Sequence, residues 1–154
     1  MTNRSTSKRP LTRALIIALL LAVVLVAVAP AAFASSAVGC TGAGCKGKNP
    51  EAQGCSAGAY TVASKSNSHE VVQLRYSPAC HAFWSRVQSK LASGNIWYTS
   101  AWLKGRPSTK VTLHNTRLVW SKMWTNQPSA CGVSVSKSHH SNVPVLCTAA
   151  DDPN

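Results

Sequence analysis

All six cysteines of this 154-residue chain, Cys40, Cys45, Cys55, Cys80, Cys131 and Cys147, come after an apolar start that has none. An even set of cysteines behind such a start is the pattern of an exported domain stapled by disulfides. Cross-links of this kind hold short strands and loops together without a large core, so this feature limits the fold more than any other. Zinc is the competing use of cysteine. Structural zinc sites pair cysteines two to four residues apart within each knuckle. Here four residues separate Cys40 from Cys45, nine separate Cys45 from Cys55, and no second knuckle matches the first. Disulfides are therefore expected, with no metal and no cofactor. Cys131 and Cys147 stand apart from the rest and flank an alternating segment and a short strand, so these two are expected to pair. That closure contributes on the order of 3 kcal/mol, largely by restricting the unfolded chain.

The start itself reads as a leader. Arg4, Lys8, Arg9 and Arg13 form a basic end, Ala14 to Val28 an apolar run, and Pro30 with Ala32-Phe33-Ala34 a breaker followed by small residues. This is the layout of a signal peptide cut after Ala34. The alternative is an uncleaved membrane anchor, since Ala14 to Ala34 just spans a ~30 Å hydrocarbon core. In either case the basic end stays inside and the cysteine domain goes out.

Removing residues 1–34 leaves 120 residues, enough for one domain that hides about 65% of its unfolded surface. The expected organisation is a single Cys-rich domain over 35–148 and a frayed acidic tail over 149–154. Four of the sixteen Lys and Arg lie in the leader, leaving twelve against Glu51, Glu70, Asp151 and Asp152, a net charge of +8. Such a surface favours anionic partners.

Ser35 to Gly58 carries six glycines, three cysteines and Pro50, a composition that sustains neither helix nor strand and reads as a cross-linked loop, a stapled lid. Beyond it the pattern is β. Tyr60 to Ala63, a polar turn at Lys65 to His69, and Val71 to Tyr76 read as strand, turn and strand. Ser77-Pro78 begins either the turn of a further hairpin, which Ala82, Trp84 and Arg86 favour by alternation, or a helix with Phe83, Val87 and Leu91 on one face. Ile96 to Leu103 is aromatic-rich and ended by Gly105 and Pro107. Lys110 to His114 is short and β-branched, Arg117 to Trp124 alternates, Val133 and Val135 alternate with serines, and Val143 to Cys147 is a last short strand. His139-His140 reads as a loop tip. The expected fold is all-β, a small antiparallel barrel or sandwich preceded by the Gly/Cys-rich loop.

Cys40-Thr-Gly-Ala-Gly-Cys45-Lys-Gly-Lys-Asn-Pro50, then Gly54-Cys55, then Leu74-Arg75-Tyr76-Ser77-Pro78-Ala79-Cys80 with Phe83-Trp84-Ser85-Arg86-Val87 resemble the actinobacterial family catalogued as domain of unknown function 2690. The resemblance covers about Cys40 to Thr112. It implies an exported or membrane-attached domain with this cysteine, Arg-Tyr-Ser and tryptophan pattern, and no activity. Arg75, Tyr76, Ser77, Trp84 and Arg86 are its motif residues. Where relatives carry aspartates this chain has Asn49 and Gly58, which argues against a shared acidic or metal site.

No catalytic constellation stands out. Serine hydrolysis needs an orienting carboxylate, and the only aspartates lie in the tail. A glycosidase needs two facing carboxylates, and the body offers only Glu51 and Glu70. Acid–base chemistry with His69, His81, His114, His139 and His140 beside Lys110 or Lys122 is the raw material of a small hydrolase or nuclease, with nothing to set its geometry. Binding has better material. Trp97, Trp102, Trp120 and Trp124 with Tyr98 are many aromatics for one small domain, and Trp120 and Trp124 are expected on one strand face with Lys122 between them. Trp97, Trp120, Lys122 and Trp124 are thus the candidate ligand-binding residues, for anionic cell-wall polymers, glycans or envelope lipids. The plainer reading is that the tryptophans form the core. The lysines are spread singly, so no run marks a nucleic-acid arm, and a monomer is expected. A secreted protein-interaction module acting through the Cys40–Cys55 segment is the other class.

Overall fold

The computed structural model describes residues 37–127, 129–138 and 143–148. The expected leader, the His139-His140 tip and the expected tail lie outside them. Among the described residues no helix is long and apolar enough to cross a membrane, and the only helical pieces are 3₁₀ turns at Gly42–Cys45 and Ser93–Asn95. The strands are β1 (Tyr60–Ser66), β2 (Glu70–Ser77), β3 (Ala82–Ser89), β4 (Ile96–Leu103), β5 (Arg106–His114), β6 (Leu118–Trp120), β7 (Ala130–Ser136) and β8 (Leu146–Cys147). They form two antiparallel sheets, ordered β1-β2-β3-β6 and β5-β4-β7-β8. Neither sheet closes on itself, so of the two expected architectures the fold is a sandwich.

The Ser77-Pro78 segment makes a hairpin. The Ser77 hydroxyl accepts from Cys80 N at 3.2 Å, His81 takes φ +48°, and β3 returns with Val72 opposite Val87 and Tyr76 opposite Phe83. The helix alternative drew on Phe83 and Val87, four residues apart. That spacing is also two strand periods, so alternation of the whole segment decides between them. β5 is longer than the expected Lys110–His114, because Pro107 sits within it. An edge strand leaves one row of N–H groups unused, so a proline is tolerated there, and β5 is the edge of its sheet.

Val72, Leu74, Val87 and Val119 of the first sheet meet Ala101, Leu103 and Ala130 of the second in the core. Each large side chain buried this way contributes about 1.5–3 kcal/mol. Gly132, in β7, marks the closest approach of the two sheets: a Cβ there would lie 2.2 Å from Val87 Cγ2 and 3.1 Å from Val72 Cγ2. Cys131 stands opposite Cys147 in the β7–β8 ladder, and the two are disulfide-bonded as expected.

A second core lies on the outer face of the first sheet. There the lid, residues 37–59, packs Cys45 and Cys55 over Cys80, Ala82, Trp84 and Met123. Two disulfides, Cys40–Cys45 and Cys55–Cys80, staple it. Gly42 N donates to Cys80 O at 2.7 Å, and the lid and residue 123 exchange bonds, Gly47 N to Met123 O and Met123 N to Lys48 O. Disulfides form and persist in oxidising compartments, and this chain has three among its described residues.

Glu70 is fully buried at the start of β2. Its two oxygens accept from Asn67 Nδ2 at 2.9 Å and from Ser134 N at 3.0 Å, tying the sheets together. Burial raises its pKa above the ordinary 4.5, against the lowering effect of those bonds and of His69 and Lys90. The folded state therefore holds the Glu70 proton to higher pH than the unfolded chain does. Its contribution to stability is greatest in acid and declines as pH rises from 4.5 through the folded-state value. Glu70→Gln is expected to remove that decline. It is also expected to cost about 1 kcal/mol throughout, since an amide has one accepting oxygen where two are needed. Urea unfolding across the acid-to-neutral range checks both; an unaltered pH profile in the variant contradicts the assignment.

Candidate functional site

The four residues expected to form a binding platform do not come together. Trp120 pairs with Arg86 across β6 and β3, whereas Trp124 pairs with Phe83 in an isolated bridge. Over that interval β3 moves three residues and the other arm four, so one extra residue is inserted. A one-residue slip turns a side chain to the opposite face. Trp120 accordingly packs beside the lid disulfides, and Trp124 packs against the sandwich core. The cause is Met123, which leaves the ladder to bond with the lid and buries its side chain beneath it. Trp97 is 42% exposed but sits near the start of β4, about 20 Å along the strand from its far end. Its ring lies 5.3 Å from that of Tyr98.

A different grouping forms around Trp124. Lys46 Nζ lies 5.3 Å from the centre of its ring and the Arg106 guanidinium carbon 5.2 Å. Each cation belongs to a turn of the same basic–Gly–basic pattern, Lys46-Gly47-Lys48 in the lid and Lys104-Gly105-Arg106 between β4 and β5. The central glycines take φ +76° and +71°, a region where other residues are strained. Lys48 is bonded through its carbonyl to Met123, next to Trp124, and Lys122 N donates to Thr109 O on β5. Lys46, Lys48, Lys104, Arg106 and Lys122 thus come from three distant segments to one end of the sandwich.

Against these five basic residues the described residues hold two carboxylates: Glu70 is buried between the sheets, and Glu51 lies in the lid, where it accepts from the Ser56 hydroxyl. Two cations gathered at one indole repel each other, and an anion bound near both relieves that repulsion. Cation–π contact with a half-buried tryptophan, about 0.5–2 kcal/mol each, holds the two heads in place. Of the expected site residues, Trp124 and Lys122 belong to this pole. Lys46, Lys48, Lys104 and Arg106 were missed because they look isolated in sequence. The repeated basic–Gly–basic turn was the available signal.

The family-motif residues are structural. Arg75 donates to Thr61 Oγ1 at 2.7 Å and to Ala59 O at 2.6 Å, fastening the end of the lid to the sheet; burial, and then the charge of Arg86, lower its pKa. Arg86 donates to Gln73 Oε1 at 2.7 Å. The Tyr76 ring contacts those of Tyr60 and Phe83, Ser77 shapes the hairpin turn, and Trp84 is the buried centre of the lid core. The sulfurs of Cys40, Cys45, Cys55 and Cys80 lie within 4.8 Å of one another, but they are oxidised in pairs, and metals bind thiolates. His69 and His81 flank opposite ends of β2, and His114 Nδ1 lies 3.2 Å from Trp97 O, so these three do not converge.

Comparison with known proteins adds the family and nothing more specific. No curated protein matches the chain, and no solved structure does. The family described as "Protein of unknown function (DUF2690)" matches residues 43–152. The match runs well past Thr112, where the resemblance in the residues stops, and takes in β6, β7, β8 and the Cys131–Cys147 pair. The match takes in the lid from residue 43 onward and the whole sandwich, and the chain therefore belongs to the DUF2690 family.

Proposed function

We propose that the protein is an exported, non-catalytic binding module that holds anionic cell-wall polymers at the basic pole around Trp124. The observation that carries this reading is the convergence of Lys46 and Arg106 on one indole, with further lysines beside them. A polymer with a regular series of phosphate or carboxylate groups has the matching chemistry, because successive charges engage successive cations. Extracellular glycans of the same charge are held in the same way. The three disulfides suit an oxidising site outside the cytosol.

The test is a pull-down of the oxidised protein on purified cell walls, with and without their anionic polymers, at increasing salt. Binding is expected to need the polymers and to weaken as salt shortens the screening length. The Lys46→Gln/Arg106→Gln double variant is expected to lose about 2 kcal/mol, roughly thirtyfold in affinity, and to show a shallower salt dependence. Wild-type affinity in that variant, or binding to walls stripped of the polymers, contradicts the reading.

A further inference from the structure

The outer face of the second sheet carries a groove of about 370 Å³, lined by Tyr98, Trp102, Lys110, Val133, Val135, Val143 and Val145. Strand register explains its composition. Tyr98 stands opposite Val135, Ser100 opposite Val133, and Trp102 opposite Cys131, so these side chains share the face turned away from the core residues Ala101 and Leu103. The segment leading into β8 brings Val143 and Val145 alongside, and Val145 remains 50% exposed. Val133 and Val135, 7% and 2% exposed, form the floor of the groove, and Tyr98, Trp102, Val143 and Val145 stand around them. At its edge Lys110 Nζ lies 5.3 Å from the centre of the Trp102 ring, and among the described residues no carboxylate lines the groove.

We propose that this groove binds a free medium-chain carboxylate, with the acyl chain along the four valines and the two rings and the carboxylate on Lys110. Three features choose this class. Four of the seven lining side chains are valines, and among the side chains only Tyr98, Trp102 and Lys110 carry a polar group to meet the hydroxyls of a sugar ring. The volume is at the small end for ligand pockets, which suits one chain rather than the two of a membrane lipid. The single cation matches a single anionic head. The site is separate from the basic pole at Trp124 and does not depend on the function proposed for it.

Calorimetric titration of the full, oxidised chain with decanoate, decanol and acetate tests the proposal. Decanoate is expected to bind saturably at one site, with decanol and acetate each about tenfold weaker or more. Lys110→Gln, a change at an exposed position, is expected to bring decanoate down to the affinity of decanol. Val145→Asp is expected to abolish the site, and its thermal unfolding shows whether the fold survives; if it does not, Lys110→Gln alone decides. Absence of saturable decanoate binding overturns the proposal, as does equal affinity for decanoate and decanol. Binding that neither variant alters does so too, since it places the fatty acid elsewhere on the chain. Polymer binding by Lys110→Gln is expected to match that of the wild type, which separates this site from the basic pole.

Discussion

Replacing Cys55 and Cys80 with serine is expected to lower stability by about 3 kcal/mol and to lift the lid from Trp84. The two cysteines are 25 residues apart, and the restriction that such a cross-link places on the unfolded chain is of that size. The lid depends on it more than an ordinary surface loop would. Its Gly-rich chain has little apolar surface, so the second core is mostly sulfur and the indoles of Trp84 and Trp120. Trp84 Nε1 is buried there without a hydrogen-bond partner, an unmet donor that costs about 1–3 kcal/mol and is relieved as soon as water enters. Covalent closure thus reinforces the few hydrogen bonds that fasten the lid to the sheet. The Cys40–Cys45 pair spans only 5 residues, so the matching serine double variant is expected to lose about 1 kcal/mol less. Urea unfolding compares the two variants, and hydrogen exchange at residues 45–58 together with tryptophan fluorescence reports on the lid. Equal losses, or full protection of the lid without the Cys55–Cys80 bond, would show that packing rather than the bond holds it.

Gly132→Val is expected to destabilise the sandwich by about 3 kcal/mol, although valine is favoured in strands. Gly132 lies on the inner face of β7, and even the first added carbon meets Val87 Cγ2 at 2.2 Å, where Val87 is itself fully buried and cannot turn aside. The sheets must separate, or Val72 and Val87 must leave their rotamers. Gly132→Val paired with Val87→Ala is expected to recover part of the loss, because the second change removes the atoms in the way. Thermal unfolding of the single and double variants measures this coupling. A stable Gly132→Val protein, or no recovery in the double variant, would mean that the sheets do not meet there.

Residues and spacing alone were enough for the all-β class, the order of the strands along the chain, the stapled lid and the Cys131–Cys147 pair. Each depends on local information. Alternation shows which side of a strand is buried, glycine and proline mark turns, and an isolated cysteine pair flanking short strands has little choice of partner. The motif around Arg75 and Trp84 was enough for the family.

The site was not legible in the same way. Trp120 and Trp124 are four residues apart, so an unbroken strand would set them on one face, and only the capture of Met123 by the lid slips the register and separates them. The basic–Gly–basic turns at Gly47 and Gly105 are 58 positions apart in the chain, and each looks like ordinary solvated surface until folding sets both against one indole. The groove likewise draws on β4, β5, β7 and the approach to β8. Sequence determined the secondary structure and the staples because those follow from neighbours along the chain. Tertiary structure alone decided where charge and aromatic surface gather, because that depends on one inserted residue and on which distant turns the sandwich brings to the same end.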